Sequence, residues 1–213
     1  MGGKLGTIFA RAGHDVVFSY SRSREKLDRL ARSAGARAGT PRDAAQGADA
    51  LLLAVHWSLL EDVLQQAGDL AGRILITCSL PMNLDNTELV VAHTSSGAEQ
   101  LAERSEARVV SAFGTVPSEV LFGVFEAKDR AARPSLVYCG EDADAKRVAA
   151  TLIHDAGFEP VDAGPLDGAR FLEPFTLLVG RLAYERGGSP ALAYRFEHFE
   201  ELESLPAARS PGA

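Results

Sequence analysis

Lysine and cysteine are scarce in this chain of 213 residues: four lysines (Lys4, Lys26, Lys128, Lys146) stand against eighteen arginines, and there are two cysteines, Cys78 and Cys139. Two cysteines make no disulfide framework. Both lie in or beside apolar runs, so buried thiols in a reducing compartment are expected. The chain has neither HExxH nor C-x-x-C, which sets aside the common zinc arrangements. No run reaches the ~18 apolar residues of a membrane span, and the opening residues, interrupted by Lys4, lack the pattern of a signal peptide. A cytoplasmic location and no membrane partner are therefore expected. A formal charge of −7 offers no basic surface to nucleic acid. No tyrosine is followed by lysine four residues on, and "GTVPS", which holds Ser118, is not a G-x-S-x-G elbow. The missing elbow disfavours a serine hydrolase, and the near-absence of lysine from plausible cleft positions disfavours the hydroxyacid dehydrogenases that depend on a catalytic lysine. In "EHFEELE" (197–203), His198 stands among carboxylates, but adjacent helical residues do not face one another. A solvated surface is expected there, and no metal site.

The chain does have regular alternation. With 46% hydrophobic and 24% charged residues it has an ordinary globular composition. Short β-branched or continuous apolar runs at 14–20, 50–55, 73–80, 107–113, 134–140 and 158–164 read as strands. Between them lie amphipathic stretches of helical length, opened by cap signals such as Thr40-Pro41-x-Asp43 and Ser96-x-x-Glu99. Gly13 and Gly35 close the first two helices. From Pro165 the chain reads as mainly helical to about residue 204, with a break at 186–190. Strands alternating with helices imply an α/β fold with a doubly wound, mostly parallel sheet.

The chemistry begins at "MGGKLGTIFARAGHDVVFSYSRS". A glycine turn opening a helix, followed by a strand, has the form of a dinucleotide-binding unit, in which the pyrophosphate rests on the helix N-terminus. Roughly 20 residues after the last fingerprint glycine, an NAD-preferring protein places an acid against the ribose 2′-hydroxyl. Counting from Gly2 leads to Ser21, followed by Arg22, Ser23 and Arg24, with no carboxylate before Glu25. Hydroxyls and guanidinia match a 2′-phosphate, so NADP rather than NAD is expected. Ser23 could equally cap the following helix. "AVHWS" (54–58) ends a strand at the carboxyl edge, where open α/β sheets bind ligands. His56 and Trp57 would flank the ribose or nicotinamide there, with His56 more a spectator than a proton donor.

Together with "LLLAVHWSLLEDVL", "GRILITCSLPMN", "VVSAFGTVPSEVL" and "ARFLEPFTLLVGRLAY", this opening resembles the NADPH-dependent coenzyme F420 reductases (reduced-F420:NADP oxidoreductases). The resemblance implies an NADP-binding Rossmann domain at 1–113 and a smaller C-terminal α/β domain at 114–204, while the low-complexity end, 205–213, reads as a disordered tail. It implies hydride transfer between NADP(H) and a deazaflavin stacked on the nicotinamide. Position by position, Gly2 would be the last glycine of the fingerprint; Ser21, Arg22 and Lys26 would hold the 2′-phosphate; and Ala54, Val55 and His56 would pass the nicotinamide ribose. The chain departs from that family at Gly114, where many members have asparagine, and at "CSLPMN", so a flavin, quinone or carbonyl acceptor stays open. No acid–base group is assigned. The alternatives are a non-catalytic or weakened dinucleotide-binding protein, and an imine or carbonyl reductase using His56, Thr115 or Ser118. The apolar "FLEPFTLLVGRLAY" suggests a homodimer.

One expected element is absent. In the order 3-2-1-4-5-6 the first strand is central, yet the chain begins inside the glycine turn. Buried backbone groups without partners cost about 1–3 kcal/mol each, against a total stability of about 5–15 kcal/mol. Either an upstream segment supplies the strand, or the sheet leaves a gap or closes by pairing "VVFSY" with "LLLAV". Without the early glycines, weak NADPH binding is expected.

Overall fold

The structure is a computed structural model that describes residues 1–21, 23–185 and 187–197. Arg22, His198 and the tail at 205–213 lie outside the described residues. The elements are α1 (Gly2–Arg11), β1 (Val17–Phe18), α2 (Arg24–Ala34), β2 (Arg37–Ala38), α3 (Pro41–Gly47), β3 (Leu51–Leu53), α4 (Leu60–Ala67), β4 (Ile74–Thr77), α5 (Gly97–Ser105), β5 (Arg108–Ser111), α6 (Leu121–Glu126), β6 (Ser135–Gly140), α7 (Ala143–Asp155), β7 (Glu159–Asp162) and α8 (Ala169–Tyr184).

Helix boundaries follow the local chemistry. The Ser23 hydroxyl accepts from the Lys26 N–H at the start of α2, and Gly35 ends that helix at φ 66°. Thr40 and Asp43 form a reciprocal capping box with Pro41 in the first turn of α3. Ser96 accepts from the Glu99 N–H at the start of α5, and Asp142 from the Ala145 N–H at the start of α7. The two-residue β2 in "GARAG" has no apolar run and was not legible as a strand. It exists because Arg37 and Gly39 donate to the carbonyls of Val16 and Phe18.

β3-β4-β5-β6-β7 make one five-stranded sheet, parallel throughout except where β6 runs antiparallel to β5. Helices cover both faces. Leu5, Ile8 and Phe9 of α1 pack with Leu121 of α6, Ile153 of α7 and Ile76 and Val110 of the sheet. On the other face Leu60 and Val63 of α4, Leu101 of α5 and Leu172 of α8 meet Leu75 and Val109. Successive residues of β4 and β5 thus bury opposite faces, as a doubly wound sheet requires. The fold is an α/β, Rossmann-like one. β6 and β7, beyond residue 113, continue the sheet of β3–β5 through the pairs Val110↔Gly140 and Ser111↔Cys139.

β1 and β2 form a separate two-stranded parallel sheet under α2, with Phe18, Leu27 and Ala31 as a small core. β1 does not pair with β3. Of the two arrangements expected for a sheet without its first strand, the gap is the one found.

The helical expectation beyond residue 190 is corrected. α8 ends at Tyr184, and residues 187–197 carry no helix. Gly187, Gly188 and Pro190 break the helical pattern. Tyr194 is then drawn to β6, where its carbonyl accepts from Ser135 N–H at 2.8 Å and its hydroxyl accepts from Val137 N–H at 3.3 Å.

Candidate functional site at the carboxyl edge

The exit of β1, the N-terminus of α1 and the exit of β3 converge. A Cβ added to Gly2 would stand 3.0 Å from the Ala54 Cβ, tighter than ordinary van der Waals contact, so the glycine eases the close approach of the first turn of α1 to the exit of β3. That first turn carries no acidic residue, which leaves the positive end of a ten-residue helix available to an anion. Gly2, Ser21, Lys26, Ala54 and Val55 line one cleft of about 810 Å³ that runs between the two sheets. Ser21 and Ser23 also hold each other: the Ser23 N–H donates to the Ser21 hydroxyl at 3.2 Å, and that hydroxyl donates to the Ser23 carbonyl at 3.1 Å. Ser23 is thereby committed to capping α2, while no acidic side chain among the described residues pairs with Lys26.

His56 and Trp57 lie outside the lining of that cleft. The His56 Nδ1 accepts from Ser58 N–H at 3.2 Å, which places the proton of the neutral ring on Nε2. Although the residue as a whole is half-buried, Nε2 itself is buried without a partner among the described residues. That donor faces neither the cleft nor solvent. Trp57 turns away, with the Arg104 guanidinium 5.9 Å from its ring centre. The other two candidate donors are engaged: Thr115 with the Tyr194 hydroxyl at 2.7 Å, and Ser118 with Lys4 Nζ at 3.2 Å.

Four residues gain importance only in three dimensions. Tyr20, at φ 57°, donates its hydroxyl to Asp62 at 2.6 Å and so ties the end of β1 to α4 across the cleft. That hydrogen bond holds the Asp62 carboxyl below the usual carboxylate range. Ser79 accepts from Val55 N–H at 3.1 Å and fixes the exit of β3 against β4. Gly6 lies directly on the Phe18 ring. Glu173, 3% exposed, accepts from the N–H groups of Gly97 and Ala98 at 2.9 and 3.0 Å, pinning α8 to the start of α5. Burial outweighs those two bonds and pushes its pKa up to about 7. The only sequence signal for it was a lone acid inside the apolar "FLEPF". At Ser79, a small pocket with room for about one water is lined by Thr77, Gly114, Thr115, Glu173 and Thr176 together with apolar residues such as Val137 and Leu172. A Cβ at Gly114 would be 3.6 Å from the Thr176 hydroxyl, so the space the glycine opens lies on this side.

Among the described residues no helix is long and apolar enough to cross a membrane, and no group of three or more His, Cys, Asp or Glu residues could hold a metal. Cys139 is fully buried and Cys78 half-buried, and burial raises both thiols to about 12, away from thiolate chemistry.

An α/β sheet with a glycine-opened helix at its carboxyl edge defines an NAD(P)-dependent oxidoreductase fold. Residues 1–81 match the family model described as NADP oxidoreductase, coenzyme F420-dependent, and this part of the chain carries that family's domain. A candidate F420-dependent NADP reductase from Arthrobacter sp. FB24 superposes with TM-score 0.79 at 22% identity, covering 92% of this chain and 95% of that one. A hypothetical protein from Sinorhizobium meliloti, SMa0349, superposes at 0.66 with 26% identity over 92% and 91% of the two chains. The metalloreductase STEAP3 of Rattus norvegicus is 29% identical over 136 residues, 63% of this chain. That alignment spans only 26% of STEAP3, about a quarter of its length.

Proposed function

We propose that the chain binds NADP(H) at this carboxyl edge and passes a hydride between it and a deazaflavin of the F420 type, or a related flavin or quinone. The observation that carries this reading is the close seat of Gly2 on Ala54, with Ser21 and Lys26 beside it and no acid in the first turn of α1. The residues fit the nucleotide. The α1 N-terminus would take the pyrophosphate and Lys26 with Ser21 the 2′-phosphate, joined by Arg22 from outside the described residues. Ala54 and Val55 would present backbone to the ribose.

NADPH, when bound, supplies the hydride. The protein's own part is to orient the ring and keep water from it, since transfer between two cofactors needs apposition more than acid–base chemistry. Residues 1–113 would hold the nucleotide. Residues from 114 onward would supply the acceptor side, through Gly114, Thr115 and α8. Phe171, Leu178 and Leu182 of α8 are 75%, 53% and 58% exposed along one helical stripe, and this supports a homodimer through α8, which sedimentation equilibrium would read directly.

The test is NADPH oxidation followed at 340 nm with coenzyme F420, FMN and a soluble quinone in parallel. Turnover is expected with the deazaflavin and slower turnover with FMN. If the folded chain oxidises NADPH with none of them, it is not a reductase of this type.

A further inference from the structure

Buried polar side chains gather in one place. Of the six serine, threonine and acidic residues buried among the described residues, Thr77, Ser79, Thr115 and Glu173 line the same small pocket at the exits of β4 and β5. Polar groups taken out of water need bonds, and two of these four keep a proton in hand. Ser79 is satisfied by the Val55 N–H and the Leu53 carbonyl, and Thr115 by the Tyr194 hydroxyl. The Thr77 hydroxyl accepts from Ser79 N–H at 3.1 Å, but no acceptor among the described residues takes its proton. Glu173 accepts one backbone N–H on each oxygen, and when it is protonated no acceptor among the described residues takes that proton either. The pocket has room for the one water that could serve both. It adjoins the nucleotide cleft, because Val55 lines the cleft and bonds to Ser79. It is not sealed, since Cys78, Leu80, Gly114 and Thr176 on its wall are only half-buried.

A hydride delivers two electrons and one hydrogen. A reduced deazaflavin, flavin or quinone carries a second hydrogen, on nitrogen or oxygen, which must arrive as a proton. We propose that Glu173 supplies this proton, through a water held in the pocket, to the acceptor at the exits of β4 and β5; the proposal rests on the hydride-transfer reading and deepens it. The Glu173 O–H bond breaks, the water passes the proton on, and an N–H or O–H bond forms on the acceptor. The carboxylate left behind is received by the N–H groups of Gly97 and Ala98 at the positive end of α5, and solvent restores its proton. Burial raises the acid to about 7 while those two donors favour the anion, so both states are reachable near neutral pH. Asp62 and Glu119, the other acids at this edge, are held below the usual carboxylate range by the Tyr20 and Tyr184 hydroxyls and have no proton to give. The titratable groups around Glu173 are Glu99 of α5, paired with Arg170 of α8 at 2.9 Å, and the thiols of Cys78 beyond β4 and Cys139 on β6, both neutral with values of about 12.

Two measurements on the full chain test this, the first without any acceptor. Infrared difference spectra between about pH 5 and about pH 8 are expected to lose one protonated-carboxyl C=O band with a midpoint near 7. The band should shift in D2O, because the proton exchanges with solvent through the pocket, and Glu173→Gln should lack it. The second measurement follows NADPH oxidation against pH with coenzyme F420, FMN and a soluble quinone. The parent's kcat should fall above about pH 7, whereas Glu173→Gln should have a kcat about a hundredfold lower at about pH 6, flat with pH, and an unchanged KM for NADPH. Glu173→Asp keeps a carboxyl and should retain pH-dependent turnover; with the parent's own band it decides the matter if Glu173→Gln does not fold. The absence of the band, a band that D2O leaves in place, or turnover that Glu173→Gln leaves intact would overturn the proton role and leave the hydride reading standing. The expected band without turnover on any acceptor would refute the hydride reading, and the proton role would fall with it.

Discussion

Replacing Gly6 with valine is expected to lower stability by about 3 kcal/mol, at the upper end of what overpacking costs. A Cβ at this position would lie 2.3 Å from one Phe18 ring carbon and 2.8 Å from the next. Phe18 is buried and is one of three residues in the small core under α2, so its ring has little room to yield. A glycine in mid-helix otherwise costs about 0.5–1 kcal/mol relative to alanine. The contact must therefore outweigh a propensity gain, and Gly123 sets the scale of that gain: it lies inside α6, where an added Cβ meets nothing within 4 Å. Gly123→Ala should stabilise by about 0.5 kcal/mol while Gly6→Val lowers Tm by about 6–12 °C, at roughly 2–4 °C per kcal/mol for a chain of this size. Pairing Gly6→Val with Phe18→Ala should recover at least about 1 kcal/mol of the summed loss. Additive losses would mean that Phe18 is not what excludes a side chain at position 6.

The second large effect is in pH. The Glu173 carboxyl titrates at about 7 in the fold against an ordinary value of 4.5. A raised acid pKa means that the native state holds a proton the unfolded chain has released. Between pH 4.5 and 7 stability therefore falls as pH rises, fully present below the lower value and lost above the upper. At about 1.4 kcal/mol per pKa unit the full loss across that window is about 3.5 kcal/mol. Glu173→Gln cannot ionise, so its stability relative to the parent should rise by about 2–3 kcal/mol between pH 5 and pH 8, read from urea unfolding at both. The two backbone donors and the N-terminus of α5 pull the other way. If they outweighed burial, the variant would lose ground at pH 8, and Glu173 would be an ordinary anionic cap.

Much of this architecture could be read from the chain. Caps at Ser23, Thr40 and Ser96 are local signals, and the apolar runs that became β3 to β7 carry their own periodicity. The parts that could not be read depend on long-range partners. β2 exists through two hydrogen bonds to β1, and the extended stretch around Tyr194 through its bonds to β6. The antiparallel turn of the sheet at β6 has no local signature either.

The site divides in the same way. Counting along the chain led from Gly2 to Ser21, while Lys26, Ala54 and Val55 came from the family resemblance; the five line one cleft. Ser23 serves α2, and Trp57 packs on Arg104 instead. Tyr20, Ser79 and Glu173 went unnoticed because each matters through a residue far away in sequence: Asp62, Val55 and Gly97.

The most direct test of the NADP site is a fluorescence titration of the folded chain with NADPH and with NADH, repeated on Lys26→Ala. Tighter binding of NADPH by at least tenfold is expected, with Lys26→Ala weakening NADPH about tenfold and leaving NADH unchanged, as losing one charge-assisted partner of about 1.4 kcal/mol implies. The ratio between the two nucleotides is the deciding quantity, whatever the absolute affinity. Equal binding of the two, a preference for NADH, or no binding of either to the folded chain would contradict an NADP site at the ends of β1 and β3.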